Sequence, residues 1–345
     1  MTRARAQQID LNSTTYYHCI SRCVRRAFLC GRDKFSGQDY SHRKGWAMER
    51  LHELASVFSM DICAYAIMSN HYHLVLRVDL MGNTALTEQE VVDRWSQLFT
   101  PNGLVQRYLN SETDEAESKR ACAMIEIWRE RLCDISWYMR CLNEHLARRA
   151  NEEDKCKGRF WEGRFKSQAL LDDVAVLACM SYVDLNPIRA KMADTPETSE
   201  FTSIQQRIYQ LQSEQTSCNN EHSETISYMA KRPASLPLMP LVTQQADSHM
   251  HSLGFRLQDY LDLVDWSGRA IRQHKRGSIP SDIPPILNRL GIHPDFFLQQ
   301  QKRQTTFLTL PRALGSPDKL SQFTQKIKQK FLRHCTAFGR LYQQA

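Results

Sequence analysis

Two apolar runs joined by a pair of turn residues restrict the fold more than any other feature of this chain. DICAYAIM, residues 61–68, leads through Ser69-Asn70 into HYHLVLRV, residues 71–78. Ser-Asn is a tight-turn signal, so the two runs read as consecutive strands. His71 and His73 stand at the start of the second run, one residue apart and beside the turn. Side chains two apart on a strand point to the same face. Two neutral imidazoles placed this way can hold one metal ion, and the alternative is a pair of hydrogen-bonded, partly buried histidines.

Other elements arrange themselves around this hairpin. TTYYHCISRCV, residues 14–24, reads as a first strand with a basic end. Trp46, Leu51, Leu54, Ala55 and Phe58 recur near helical spacing and predict a helix over about 39–58. Residues 80–132 are acidic and helical in character, with a Pro-Asn-Gly break at 101–103, an elaboration between core elements. Asp134 caps an amphipathic helix, DISWYMRCLNEHLARRANEE. GRFWEGRFKSQALL, residues 158–171, predicts a strand or extended arm. DDVAVLACMSYVDLNPIRA starts with an Asp cap and runs helical to about Asn186, because Pro187 disfavours the α conformation just before it. Residues 212–253 turn polar and read as a linker. FRLQDYLDLVDWSGRAIRQHKRG then gives a helix ending basic at a glycine, with shorter helices expected at 283–290, 294–303 and 317–338. The expected division is a domain over 1–211 with the helical insertion 80–132, a linker over 212–253, and a basic helical domain over 254–345.

A chain of 345 residues is long enough for two domains, and 42% hydrophobic with 24% charged residues is an ordinary soluble composition. No apolar run approaches the roughly 18 residues of a membrane span, so no membrane partner is expected. The N-terminal stretch MTRARAQQIDLNSTTYYHC is polar and has no apolar signal-peptide core. Eleven cysteines with no CxxC pair read as reduced thiols of a cytoplasmic protein. The net charge of +7 is unevenly spread. Residues 1–50 carry ten Lys/Arg against four Asp/Glu, and residues 266–345 fourteen against three, around an acidic middle. Basic ends suggest a polyanionic partner, although solvated helix faces account for such charge equally well.

Tyr182 and Asn186 are spaced i to i+4, which on a helix sets phenol and amide on one face. A tyrosine can be a covalent nucleophile, weak at neutral pH with an ordinary pKa of about 10. A metal ion that polarises the electrophile offsets that weakness. Imidazole pair, phenol and amide thus make one plausible site, against the plainer reading of Tyr182 as a core aromatic.

Four motifs in order resemble the single-tyrosine HUH transposases, most closely the REP-associated tyrosine transposases. YYHCISRCVRRAFL resembles their opening strand, MSNHYHLVL their His-hydrophobic-His motif, GRFWEGRFKS their Trp-x-Gly-Arg-Phe-Lys segment, and YVDLNPIRA their Tyr-(Ile/Val)-x-x-Asn-Pro-(Val/Ile)-Arg-Ala signature. The resemblance spans roughly residues 8–210. It departs at Cys23, where the family has Gly; at Tyr72, larger than the usual aliphatic residue but pointing to the opposite face; and in the length of the 80–132 insertion.

The resemblance implies an α+β fold: a small antiparallel sheet flanked by helices (an HUH, ferredoxin-like or RRM-like core), with the histidine strand central, the tyrosine helix across it, and a C-terminal helical accessory region. It implies a divalent cation, Mg²⁺ or Mn²⁺, on His71 and His73 with Asn186 as third ligand, and Tyr182 as nucleophile. The implied partner is single-stranded DNA with a REP-like hairpin, cleaved and rejoined through a 5′-phosphotyrosine by a monomer or homodimer. Expected DNA contacts are Arg22, Arg25, Arg26, Arg159, Arg164 and Lys166, with Trp161 stacking on bases and Arg148 and Arg149 as phosphate contacts or helix-dipole partners. The alternatives are an insertion-sequence transposase proper, or a domesticated hairpin-binding protein that no longer cleaves. A second His-x-His, His249 and His251, lies in the polar linker and reads as solvated loop.

Overall fold

A computed structural model of the chain describes residues 8–24, 29–32, 37–219, 235–242, 252–272, 284, 287–288, 290, 292–302, 310–329, 332 and 342. Strand β1 (Tyr16–Arg22) is followed by helix α1 (Arg43–Val57), then by β2 (Met60–Ile67) and β3 (His71–Val78). β2 and β3 form the expected antiparallel hairpin, closed by the Met68 amide donating to the His71 carbonyl at 2.9 Å.

The 80–132 insertion folds as α2 (Leu80–Ala85), α3 (Glu88–Ser96), α4 (Gly103–Leu109) and α5 (Glu115–Leu132). Reciprocal capping starts two of these helices, Thr87 with Glu90 and Asp114 with Glu117. In α6 (Ile135–Glu153) the Asp134 carboxylate accepts from the Ser136 amide, as its sequence position predicts. Only the end of the 158–171 stretch is a strand, β4 (Lys166–Leu170). Then come α7 (Asp173–Asp184), α8 (Asn186–Arg189) and α9 (Ser203–Asn219). Beyond them lie β5 (Leu241–Val242), β6 (Leu253–Arg256), α10 (Leu257–Arg272), α11 (Pro294–Lys302), β7 (Ala313–Leu314) and α12 (Pro317–Lys326). Half of the helix expected at 283–290, and most of the 317–338 helix past Gln329, lie outside the described residues.

The main sheet has the order β2-β3-β1-β4-β7. Its first four strands are antiparallel, and β7 adds to β4 in parallel. The fold mixes helices with a five-stranded, mostly antiparallel sheet, in keeping with the expected α+β class, and two details need correction. The sheet is not wholly antiparallel, because the C-terminal third supplies an edge strand. The central strand is β1 and not the histidine strand, which lies one place over. Gly315, just after β7, fits because no side chain is there: a Cβ would come within 2.8 Å of Leu171 Cβ.

Period-two alternation sends each strand's residues to two covered faces. Tyr17, Cys19, Tyr72, Leu74 and Leu76 join one buried cluster with residues of α1, α5 and α6. On that side the buried Arg43 guanidinium ties α1 to the end of α6, with Nε 2.6 Å from Glu153 and the ring of Tyr40 4.1 Å away. Val75, Leu170 and the apolar residues of α7 join the other cluster, and so do Tyr260, Leu263, Val264 and Trp266 of α10, Phe297 and Leu298 of α11, and Leu314. The described part of 254–345 thus shares a core with α7, where the sequence suggested a domain with its own. The expected linker also contributes: Met239 is buried and its amide donates to the Ile62 carbonyl at 2.9 Å.

Candidate functional site

The pairing register places the site residues. Arg22 lies directly opposite His71, and Lys166, Ile20 and His73 form the next row across β4, β1 and β3. Gln168, His18 and Val75 form the row after that. All of these point to the α7 side. Tyr72 points to the other side, where its hydroxyl donates to Asn143 Oδ1 at 2.7 Å.

Four rings converge on this face. The centroids of His71 and His73 are 4.9 Å apart, those of His18 and His73 5.1 Å, and those of His73 and Tyr182 6.0 Å. Tyr182 is half-buried near the end of α7. The Arg189 guanidinium lies 3.6 Å over its ring and donates to the Tyr182 carbonyl at 3.0 Å. Arg189 donates also to the Gln301 carbonyl at 3.0 Å, and Gln301 Nε2 to the Ala178 carbonyl at 3.1 Å. A cleft beside Tyr182 is lined by His18, Gln168, Gln301, Leu310 and Pro311. The C-terminal third therefore walls the site.

Burial keeps the three imidazoles neutral. Desolvation, aided by the positive charges of Arg22 and Arg189, holds His71 at a pKa of about 4. Desolvation likewise lowers His18 to about 4, and it pushes His73 well below the ordinary histidine value, aided by His71, His18 and Arg189. His71 Nδ1 lies 2.6 Å from Asn70 Oδ1, a contact that orients the ring. His73 is 4% exposed, and its Nε2 is buried with no hydrogen-bond partner. A neutral imidazole with an orphaned buried nitrogen, beside a second neutral imidazole, is a donor set that fits a divalent cation. Both nitrogens of His18 are engaged, with Gln168 and with His73, so it is not a further ligand. Among the described residues no group of three or more His, Cys, Asp or Glu is placed to hold a metal. Two imidazoles leave most positions of a divalent ion open to water and phosphate oxygens, and by themselves favour borderline ions over Mg²⁺.

Other expected site residues fall elsewhere. Helix α7 stops at Asp184 and Leu185 breaks it, so Tyr182 and Asn186 do not share one helix. Asn186 is buried in α8 with its Nδ2 unpartnered. Trp161 is packed on the far side of the sheet: its ring is 5.7 Å from that of Tyr72, and its Nε1 donates to the Asn143 carbonyl at 2.9 Å. It therefore lies on the sheet face opposite the histidines. Arg159 folds back on its own loop, donating to the carbonyls of Trp161 and Glu162. Arg164 is exposed in the same loop. Arg148 and Arg149 pair with Glu144 and Glu49 on the α6 side. Arg25, Arg26, His249 and His251 lie outside the described residues. Arg22 and Lys166 are the expected cations that the register brings to the histidine face.

Sequence reasoning missed His18, Gln168 and Arg189. The only signal was parity: His18 and Gln168 are inward positions of strands that had already been read as strands.

No protein-family model matches this chain, and no curated protein matches it. A solved structure described as "Structure of the REP associates tyrosine transposase bound to a REP hairpin" aligns with 61% of this chain and 86% of its own, at 10% identity and a TM-score of 0.36. The fold defines a class: a protein of helices around a mostly antiparallel sheet, with two histidines and a tyrosine gathered on one sheet face beneath its C-terminal third.

Proposed function

We propose that this chain is a metal-dependent single-strand DNA nickase and strand transferase of the tyrosine type. The observation that carries the reading is the approach of Tyr182 to His73, with ring centroids 6.0 Å apart, at a face that also bears His71, Arg22 and Lys166. The ordered motifs in the sequence supply the substrate class. His71 and His73 would hold Mg²⁺ or Mn²⁺, which supplies charge stabilisation at a scissile phosphate. Asn186 stays the candidate third ligand, with its side-chain Nδ2 buried and unpartnered in α8.

Arg189 fixes the face of the Tyr182 ring. The Tyr182 Oη forms a bond to phosphorus as the bond to the leaving 3′ oxygen breaks, giving a 5′-phosphotyrosine and a free 3′-hydroxyl. The phenol's proton goes to solvent and the leaving oxygen takes one up. Because the ester conserves the bond energy, the reverse attack rejoins strands without a nucleotide cofactor. Arg22 and Lys166 hold the backbone beside the histidines.

The test uses the full chain, a single-stranded hairpin oligonucleotide, and Mn²⁺ or Mg²⁺. Wild type should give a protein–DNA adduct that survives denaturation and needs metal. Tyr182→Phe should lower adduct formation by about 10³-fold or more. Tight hairpin binding without an adduct in either metal would leave a hairpin-binding protein that does not cleave.

A further inference from the structure

A line of hydrogen bonds runs from the C-terminal backbone to His73. Gln168 Nε2 donates to the Pro311 carbonyl at 2.8 Å, which turns its Oε1 toward His18 Nδ1 at 3.1 Å. An amide oxygen only accepts, so His18 Nδ1 carries the hydrogen. A neutral imidazole carries one such hydrogen, so His18 Nε2 is an acceptor. Its neighbour at 2.9 Å is His73 Nδ1, which is therefore the donor. His73 Nε2 is then left with a bare lone pair, buried and unpartnered. A backbone carbonyl has no second tautomer, so the line cannot run the other way while Gln168 stays bonded to Pro311.

We propose that His18 is a positioning residue that passes the hydrogen-bond direction set by Pro311 and Gln168 on to His73, fixing the tautomer whose Nε2 can bind a metal ion. The metal half of this statement rests on the function proposed above; the tautomer half does not. The C-terminal third thereby orients His73 from beyond β4 on the same sheet face, as other outer-shell partners do for metal-binding histidines.

The experiment labels the histidine imidazoles of the full chain with ¹⁵N and records two-bond ¹H–¹⁵N correlations on metal-free protein, with His73 identified through His73→Gln. Wild-type His73 should carry its hydrogen on Nδ1. Gln168→Met removes the acceptor at nearly unchanged length. It should move part of the His73 population to the Nε2–H form and weaken Mn²⁺ binding by about 10- to 100-fold. His18→Gln keeps an acceptor for His73 Nδ1, so it should retain the wild-type tautomer and much of the Mn²⁺ affinity. A wild-type His73 protonated on Nε2 overturns the proposal, as does a Gln168→Met variant with tautomer and affinity unchanged. If wild type binds no Mn²⁺, the metal reading fails, and the tautomer of metal-free His73 still decides the role of His18.

Discussion

Two residues past Tyr182 a carboxyl group sits out of reach of water. Asp184 is fully buried and accepts from Ser203 Oγ at 2.5 Å, the Ile204 amide at 2.9 Å and the Tyr260 hydroxyl at 2.5 Å. It clips α9 and α10 to the end of the helix that carries the candidate nucleophile. Burial raises its pKa to about 6 against the pull of these donors and of Arg207. The folded state then holds the proton more tightly than the unfolded state, whose carboxyl titrates near 4. Stability from this group is complete below about pH 4 and falls as pH rises through about 6, by roughly 3 kcal/mol in all. The buried histidines titrate with the opposite sign, since their lowered pKa makes the unfolded state bind more protons. The difference between wild type and Asp184→Asn isolates the carboxyl. In urea melts at pH 4, 5, 6 and 7, wild type should lose ground to the variant across that window. A constant difference would show that Asp184 ionises normally.

At the scale of elements, α7 is held from two sides: by the sheet beneath it and by α10 and α11 above. Leu263 and Phe297 are 0% exposed in the cluster that includes α7. Leu263→Ala should cost about 2–5 kcal/mol and Phe297→Ala about 3–5, each in a single transition shared with the sheet, because the described residues of the C-terminal third share their core with α7. Two transitions in calorimetry, with only the lower one moved, would restore the separate C-terminal domain that the polar 212–253 stretch suggested. That division misled because composition records solvation along the chain, and burial of α10 depends on a partner some eighty residues earlier. The hairpin at 60–78 was legible for the opposite reason: turn, alternation and histidine parity are all local. His71 and His73 are placed by those local signals, and Tyr182 by its own helix. His18 needed the strand order, with β1 between β3 and β4, and no local pattern carries that. The break at Leu185 was obscured by a proline read as ending the helix a residue or two later than it does.

At the scale of the molecule, the excess positive charge is divided between the two ends of the sequence, and the cations that the fold brings to the histidine face come from the first end and from the middle of the chain. Arg22 ends β1 directly opposite His71, Lys166 opens β4, and Arg189 donates to the Gln301 carbonyl of the C-terminal third. A single strand of DNA laid along that face would be neutralised by a few of these cations, and each phosphate contact to a single strand adds about 0.7 to the steepness of log K against log salt. Arg22→Gln with Lys166→Gln should therefore flatten the slope by about 1.4 in anisotropy titrations of a hairpin oligonucleotide over a range of salt. Arg159→Gln should leave the slope as it is, because its guanidinium is already bound to the Trp161 and Glu162 carbonyls. Neutralising either set removes cations at exposed or half-buried positions, so a general loss of net charge would flatten both curves in proportion to the charge removed. Only a strand lying on the histidine face separates the two variants, and equal flattening per charge would move the DNA path off the site.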